Sequence, residues 1–184
     1  MMTVLPAQGF REGRWLNGLG VSWDIASDPP GAGFQDFNWR FAIARIDRDV
    51  PFSAYQKVDR VFMLLEGDGL DLDIRGEQRL AVGEVNQPVR FPGDEPTLCT
   101  LRGGPCRALN LFLARGKWRA AVSVRKAGHA SVAHHGLSLL FALQGGLRIG
   151  GESLAAGDAA LLEGKASIEG DGLLYVAELS PAGA

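Results

Sequence analysis

Arg40 lies in Trp39-Arg40-Phe41-Ala42-Ile43-Ala44, where alternation puts it on one strand face with Ala42 and Ala44. Trp39, Phe41 and Ile43 take the opposite face. A guanidinium beside two alanines is a cation with room around it, as in the lining of a pocket. Arg60 is the second such group: Asp59-Arg60 leads into Val61-Phe62-Met63-Leu64-Leu65, a run apolar on both faces and therefore a strand covered on both sides. A buried guanidinium is costly unless paired, so an inward arginine needs a protein carboxylate or an anionic ligand. Two of them facing one space favour a carboxylate held by charge-assisted forks. The structural alternative is pairing within the chain, for Arg60 with Asp59 or Glu66.

Other residues suit the same chemistry. Trp15, Asn17 and Gly18 fall in Arg14-Trp15-Leu16-Asn17-Gly18-Leu19-Gly20, whose glycines let backbone amides come close to a ligand. Asn17 both donates and accepts, which fits an amide or a formyl group, or else a loop cap. Phe52 and Ser53 form a wall of the pocket or, on the plainer reading, a core ring and a turn. Asn110, amid Leu109 and Leu111 and on the face of Ala108 and Phe112, either holds a ligand or ties strands together. An amide left unsatisfied there would cost about 1–3 kcal/mol.

Several chemistries find little support. All three histidines, His129, His134 and His135, lie within seven residues of one another in a polar connecting segment, and the first half has none. No metal site is expected. There is no Gly-x-Ser-x-Gly elbow, and Ser123-Val124-Arg125-Lys126 matches a Ser-x-x-Lys spacing only by chance. Cys99 and Cys106 flank a Gly-Gly-Pro turn; a disulfide is conceivable, and free buried thiols are expected. A net charge of −2 argues against a nucleic-acid partner. The 15 arginines against 4 lysines fit carboxylate recognition, or a coding bias. No secretory signal and no apolar span of membrane length is evident, so a cytoplasmic protein without membrane contact is expected.

The elements that must position these groups are short strands separated by glycine-rich turns, which indicates an all-β sandwich or barrel. Strands are expected at Val21–Ile25, Trp39–Ile46, Val61–Glu66, Leu70–Arg75, Thr97–Leu101 and Ala108–Leu113. The second half repeats the first in outline. Leu139 to Leu143, Gly145-Gly146 and Leu147 to Ile149 follow Val61 to Leu65, the Gly67 turn and Leu70 to Ile74; Gly157-Asp158 stands for Gly93-Asp94, and Leu173 to Leu179 for Ala108 to Leu113. Two barrel- or jelly-roll-like halves in one compact unit are expected, residues 1–115 with the ligand pocket and the smaller 116–184, with 115–136 as the connection.

Phe10-Arg11, the Trp15 to Gly20 loop, Trp39 to Ala44, Pro51-Phe52-Ser53, Asp59-Arg60, Leu65-Glu66-Gly67, Phe91-Pro92-Gly93-Asp94 and Leu109-Asn110-Leu111 together resemble the HutD/Ves family of bacterial bicupins, associated with histidine utilisation. The resemblance covers most of residues 5–115 and implies a cupin fold with a small-molecule pocket. It implies no established enzymatic activity, and a role in modulating histidine catabolism. The chain departs from the family pattern at Arg14, Leu16, Leu19 and Ala108, where a proline, a basic residue, a glycine and an acid are usual.

These readings converge on a metal-free, cofactor-free binding protein for a small anionic metabolite, formylglutamate or urocanate on the family's account. Arg40 and Arg60 would supply charge, Trp15 and Phe52 apolar walls, and Asn17, Gly18, Ser53 and Asn110 orientation. Two alternatives stay open. One is a metal-independent isomerase or hydrolase of a small polar metabolite, for which the sequence names no acid or base. The other is an oligomeric interaction module, a homodimer formed through exposed strand edges.

Overall fold

Alternating apolar residues and glycine-rich turns make every regular element among the described residues extended, apart from one 3-10 turn at Ala7–Gly9. The computed structural model describes residues 1–128 and 130–183. Nineteen strands are assigned among them, in two units. The first unit is Arg11–Lys117; the second combines Met1–Phe10 with Trp118–Ala184. The N-terminal strand β1 (Met2–Leu5) explains the exchange, because it pairs antiparallel with a strand far along the chain, Leu5 against Ala159 and Met2 against Leu162. Residues 1–10, expected with the first half, therefore complete a sheet of the second.

The first unit contains β2 (Arg11–Arg14), β3 (Val21–Asp28), β4 (Trp39–Ile46), β5 (Val50–Pro51), β6 (Val58–Glu66), β7 (Leu70–Ile74), β8 (Gln78–Val82), β9 (Pro88–Pro92), β10 (Thr97–Leu101) and β11 (Cys106–Ala114). They form a six-stranded sheet, β2-β3-β4-β11-β6-β9, and a four-stranded one, β5-β10-β7-β8. This is the jelly-roll form of the expected half. Its core draws on both sheets, with Ile46, Phe62, Leu64 and Phe91 from the larger and Leu70, Leu72, Ile74 and Cys99 from the smaller. The strands β4, β6 and β11 are buried along most of their length, with apolar residues on both faces. Strand β3 runs beyond the expected Ile25, with a bulge between Asp24 and Ala26.

The second unit adds β12 (Trp118–Lys126), β13 (Ala130–Val132), β14 (Leu137–Gln144), β15 (Leu147–Ile149), β16 (Glu152–Leu154), β17 (Ala159–Glu163), β18 (Ala166–Gly170) and β19 (Leu173–Pro181). Its sheets run β1-β17-β14-β19-β12 and β13-β18-β15-β16. Each of these eight strands has a counterpart in the first unit, β12 for β4, β14 for β6, β17 for β9 and β19 for β11, with β13, β15, β16 and β18 for β5, β7, β8 and β10; β1, beyond β17, has none. Two expectations are corrected. Residues 115–136 are not a connection, since β12 pairs along nine positions with β19. Gly157-Asp158 precedes β17, whereas Gly93-Asp94 follows its counterpart β9, so the two turns are not equivalent.

Cys99 and Cys106 are free and buried in the first unit's core. Burial pushes the Cys99 thiol up to about 12, which makes it a packing group rather than a nucleophile. Among the described residues no helix is long and apolar enough to cross a membrane.

Candidate functional site

Strand alternation sends Arg40, Ala42 and Ala44 of β4 to the side expected of a pocket lining. Register does the rest. Phe112 of β11 lies opposite both Arg40 and Arg60, and Asn110 lies opposite Ala42 and Phe62. Three adjacent strands thus bring two guanidiniums, an amide and an aromatic ring to one place. The cavity between them has a volume of about 30 Å3, room for about two waters and comparable with a carboxylate head. Trp15, Ser22, Phe52, Ser53 and Tyr55 complete its lining.

The two arginines differ in how their charge is met. Arg40, 5% exposed, donates through Nε to Asp24 Oδ1 at 2.8 Å and makes a second, shorter contact from Nη2 to the same oxygen. Its Nη1 lies 3.4 Å from the Tyr55 hydroxyl, and the Phe34 and Phe112 rings flank it at 5.2 and 5.4 Å. Asp24 also receives Arg11, at 3.2 Å. Arg40 therefore has the structural partner that the sequence left open.

Arg60 has none of that kind. It is 6% exposed, and its Nη2 donates to Asn110 Oδ1 at 2.5 Å. The rings of Phe52, Phe112 and Phe91 surround the guanidinium carbon at 4.8, 4.8 and 4.9 Å. Arg60 Nε and Asn110 Nδ2 are buried donors with no hydrogen-bond partner. Burial lowers the guanidinium from its ordinary value to about 10; Tyr55 and Cys99 oppose that fall, Arg40 adds to it, and no carboxylate is among these influences. The acids expected as alternatives are taken elsewhere: Asp59 pairs with Arg115 at 2.7 Å and Glu66 with Arg107 at 2.9 Å. Ring faces attract a cation by about 2 kcal/mol or more when desolvated, which is less than its dehydration costs.

Neighbouring loops hold the walls. Phe52 meets Trp15 edge-on at 5.6 Å, and Trp15 Nε1 donates to Val21 O at 3.0 Å. A Cβ at Gly20 would come within 2.4 Å of the indole, so this glycine makes room for Trp15 rather than for a ligand. Asn17 is corrected from ligand contact to strut, because Nδ2 donates to Pro51 O at 2.9 Å, Oδ1 accepts from Leu19 N at 3.1 Å, and its own amide donates to Ser53 Oγ at 3.2 Å. Gly18 turns the chain at φ +73° and lines an outer groove with Arg14, Arg45 and Arg48, not the cavity. On the far side, Arg115 grips Asp94 through two bonds of 2.7 and 2.8 Å and also reaches Val58 O at 3.0 Å. That clamp fixes the turn after β9, which in turn accepts the Tyr55 amide at Gly93 O, 2.8 Å away. The bonds to Arg115 hold the Asp94 carboxyl below the usual carboxylate range.

Six of the eight residues expected in the site, Trp15, Arg40, Phe52, Ser53, Arg60 and Asn110, border one cavity; Asn17 and Gly18 do not. Sequence reasoning missed Asp24, Tyr55 and Phe91. Asp24 was detectable, since with Ser22 it takes the strand face opposite Val21 and Trp23. Among the described residues no three His, Cys, Asp or Glu side chains gather as a metal set, and His134 Nε2 lies 2.7 Å from Leu179 O; His129 lies outside the described residues.

The HutD family profile matches residues 7–175. The chain belongs to the HutD family. It is 32% identical over 125 residues to an uncharacterised 21.2 kDa protein in the hutC 3′ region of Pseudomonas putida, covering 65% of this chain and 62% of that one. It is 35% identical over 111 residues to Protein Ves of Cronobacter sakazakii, covering 60% and 59%. The match thus spans less than two thirds of either relative's length. HutD from Pseudomonas fluorescens SBW25, solved in a formate condition, superimposes with a TM-score of 0.83 at 27% identity, over 98% of this chain and 99% of that one. A bacterial pirin from Escherichia coli, at 12% identity and a TM-score of 0.70, shares the fold alone. These superpositions agree with a cupin-like, all-β fold for this chain.

Proposed function

We propose that the first unit of this HutD-family chain is a receptor for a small carboxylate and acts by binding rather than turnover. One observation carries the reading: Arg60 is a buried cation with no carboxylate partner, beside a cavity of carboxylate size. Its unpartnered Nε and the unpartnered Nδ2 of Asn110 are both donors. The missing group must therefore be an acceptor, and an anionic one offsets the burial cost as well. Arg40, already neutralised by Asp24, contributes a hydrogen-bonding wall more than free charge. Trp15, Phe52 and Phe112 exclude water and strengthen the attraction.

On this reading the ligand belongs to histidine breakdown, as formylglutamate or urocanate, and sequestration modulates the pathway. The P. putida relative's place beside hutC supports that choice. A thermal-shift and calorimetric screen of urocanate, formylglutamate, glutamate and histidine tests it, with Arg60→Met as control. One compound at 100 times its dissociation constant should add about 2.7 kcal/mol. Equal responses from the parent and Arg60→Met would refute the assignment.

A second reading is metal-independent catalysis. Tyr55 supports it, because its hydroxyl borders the cavity beside Arg40 and is the proton-transfer group that the sequence could not name. Turnover of a screened compound, lost in Tyr55→Phe, would favour this reading over binding alone.

A further inference from the structure

The strand correspondence between the units extends to single residues. In the first, Ala108 stands opposite Leu64 just past a bulge; in the second, Leu174 stands opposite Ala142, again beside a bulge. Counting four positions from each landmark matches Phe112 with Glu178 and Arg60 with Ser138. The remaining partners agree: Phe91 opposes Arg60 as Leu162 opposes Ser138, and Ala44 opposes Ala108 as Arg125 opposes Leu174.

The chemistry at these matched places is rearranged. The cation moves from β6 to β12, where Arg125 replaces a small residue. Its Nη2 meets Glu178 Oε1 at 3.1 Å, its Nε donates to Ser123 Oγ at 3.0 Å, and its Nη1 donates to Ser131 O at 2.8 Å. The side chains of the pair are 25% and 21% exposed, so both charges are largely out of water. Ser138, opposite Glu178 in the ladder, is fully buried with an Oγ that has no partner.

We propose that the second unit holds the counterpart of the first unit's anion site in a self-occupied form. Glu178 supplies from within the chain the carboxylate that Arg60 lacks, with Arg125 receiving it and the Ser138 hydroxyl beside it as a spare donor. The inference rests on the carboxylate reading of the Arg60 site. It goes further in fixing one ligand per chain and in predicting a latent carboxylate site under the Glu178 side chain.

Chemical rescue tests it, in an Arg60→Met background so that the first site is silent. Glu178→Ala should lower the melting temperature, and sodium formate should restore part of the loss where sodium chloride of equal ionic strength does not. At ten times its dissociation constant formate should add about 3–6 °C. Adding Arg125→Met should abolish the effect. A folded Glu178→Ala protein that formate does not rescue overturns the proposal. Should that variant fail to fold, titration of the unmutated chain with 13C-formate decides: two saturable sites, or one that survives Arg60→Met, overturn it. Rescue at the second site together with no binding in the unmutated chain would instead refute the reading of Arg60.

Discussion

Asn110→Asp is the most informative single change in this protein. The Asn110 side-chain oxygen already lies 2.5 Å from Arg60 Nη2, so the substitution places a carboxylate against the unpaired guanidinium with almost no change of shape. The fall of the Arg60 guanidinium to about 10 corresponds to about 3 kcal/mol held against its charged form. A carboxylate neighbour removes most of that penalty and brings a dehydration cost of its own. A net gain of about 1–2 kcal/mol is expected near neutral pH, a rise of about 3–6 °C in melting temperature for a chain of this size. The same internal carboxylate fills the ligand's place, so the variant should be more stable and unresponsive to every carboxylate that stabilises the parent. Calorimetric melting with and without ligand measures both. A variant that is destabilised and still binds would refute the idea that Arg60 waits for an anion.

Three further outcomes follow from the same geometry. Arg60 is depressed on folding, so the native state sheds this proton first; the burial penalty is fully present below about pH 10 and is relieved as pH rises from there toward the ordinary guanidinium range. Carboxylate affinity should therefore hold through neutral pH and fall above about pH 10, and calorimetric titration showing no such fall would count against Arg60. Gly93→Ala puts a Cβ 3.0 Å from Arg60 Cγ and from Val58 O; it should cost about 1–3 kcal/mol in melting experiments and weaken ligand binding more than a surface change of equal stability cost. Arg115→Met removes the clamp on Asp59 and Asp94, at about 1 kcal/mol given its partial exposure. Asp94 is held low, so that stability is present above the usual carboxylate range and lost as pH falls through its folded value, and the gap between parent and variant should close on acidification.

The sequence made the face of β4 legible, because period two separates Arg40, Ala42 and Ala44 from Trp39, Phe41 and Ile43 whatever the strand packs against. Arg60 could be placed beside it only as a conditional, since the meeting depends on β11 lying between β4 and β6, and register across 50 residues leaves no local trace. Tyr55 was invisible for a related reason. It sits in irregular chain between β5 and β6, and a backbone bond to Gly93 aims it, not a pattern of its own. Asn17 misled because an asparagine in a glycine-rich loop looks the same whether it meets a ligand or Pro51 O. Strand β12 escaped notice because its side chains alternate weakly between exposed and half-buried and its charged ends resemble a linker. Nothing near Met2–Leu5 hints at a partner beginning at Ala159.

That last pairing governs how the protein can be taken apart. A fragment starting at Trp118 would carry all but one of the strands of its larger sheet and leave the outer rim of β17 bare, a row of open amides and carbonyls inviting the rim of another copy. Supplying residues 1–10 as a separate peptide, or grafting them beyond residue 183 through a flexible tether, should close that rim. During synthesis Met2–Leu5 must likewise stay unpaired until Ala159–Leu162 has been made, so a bulky group attached ahead of β1 would burden the sheet of the second unit, not those of the first.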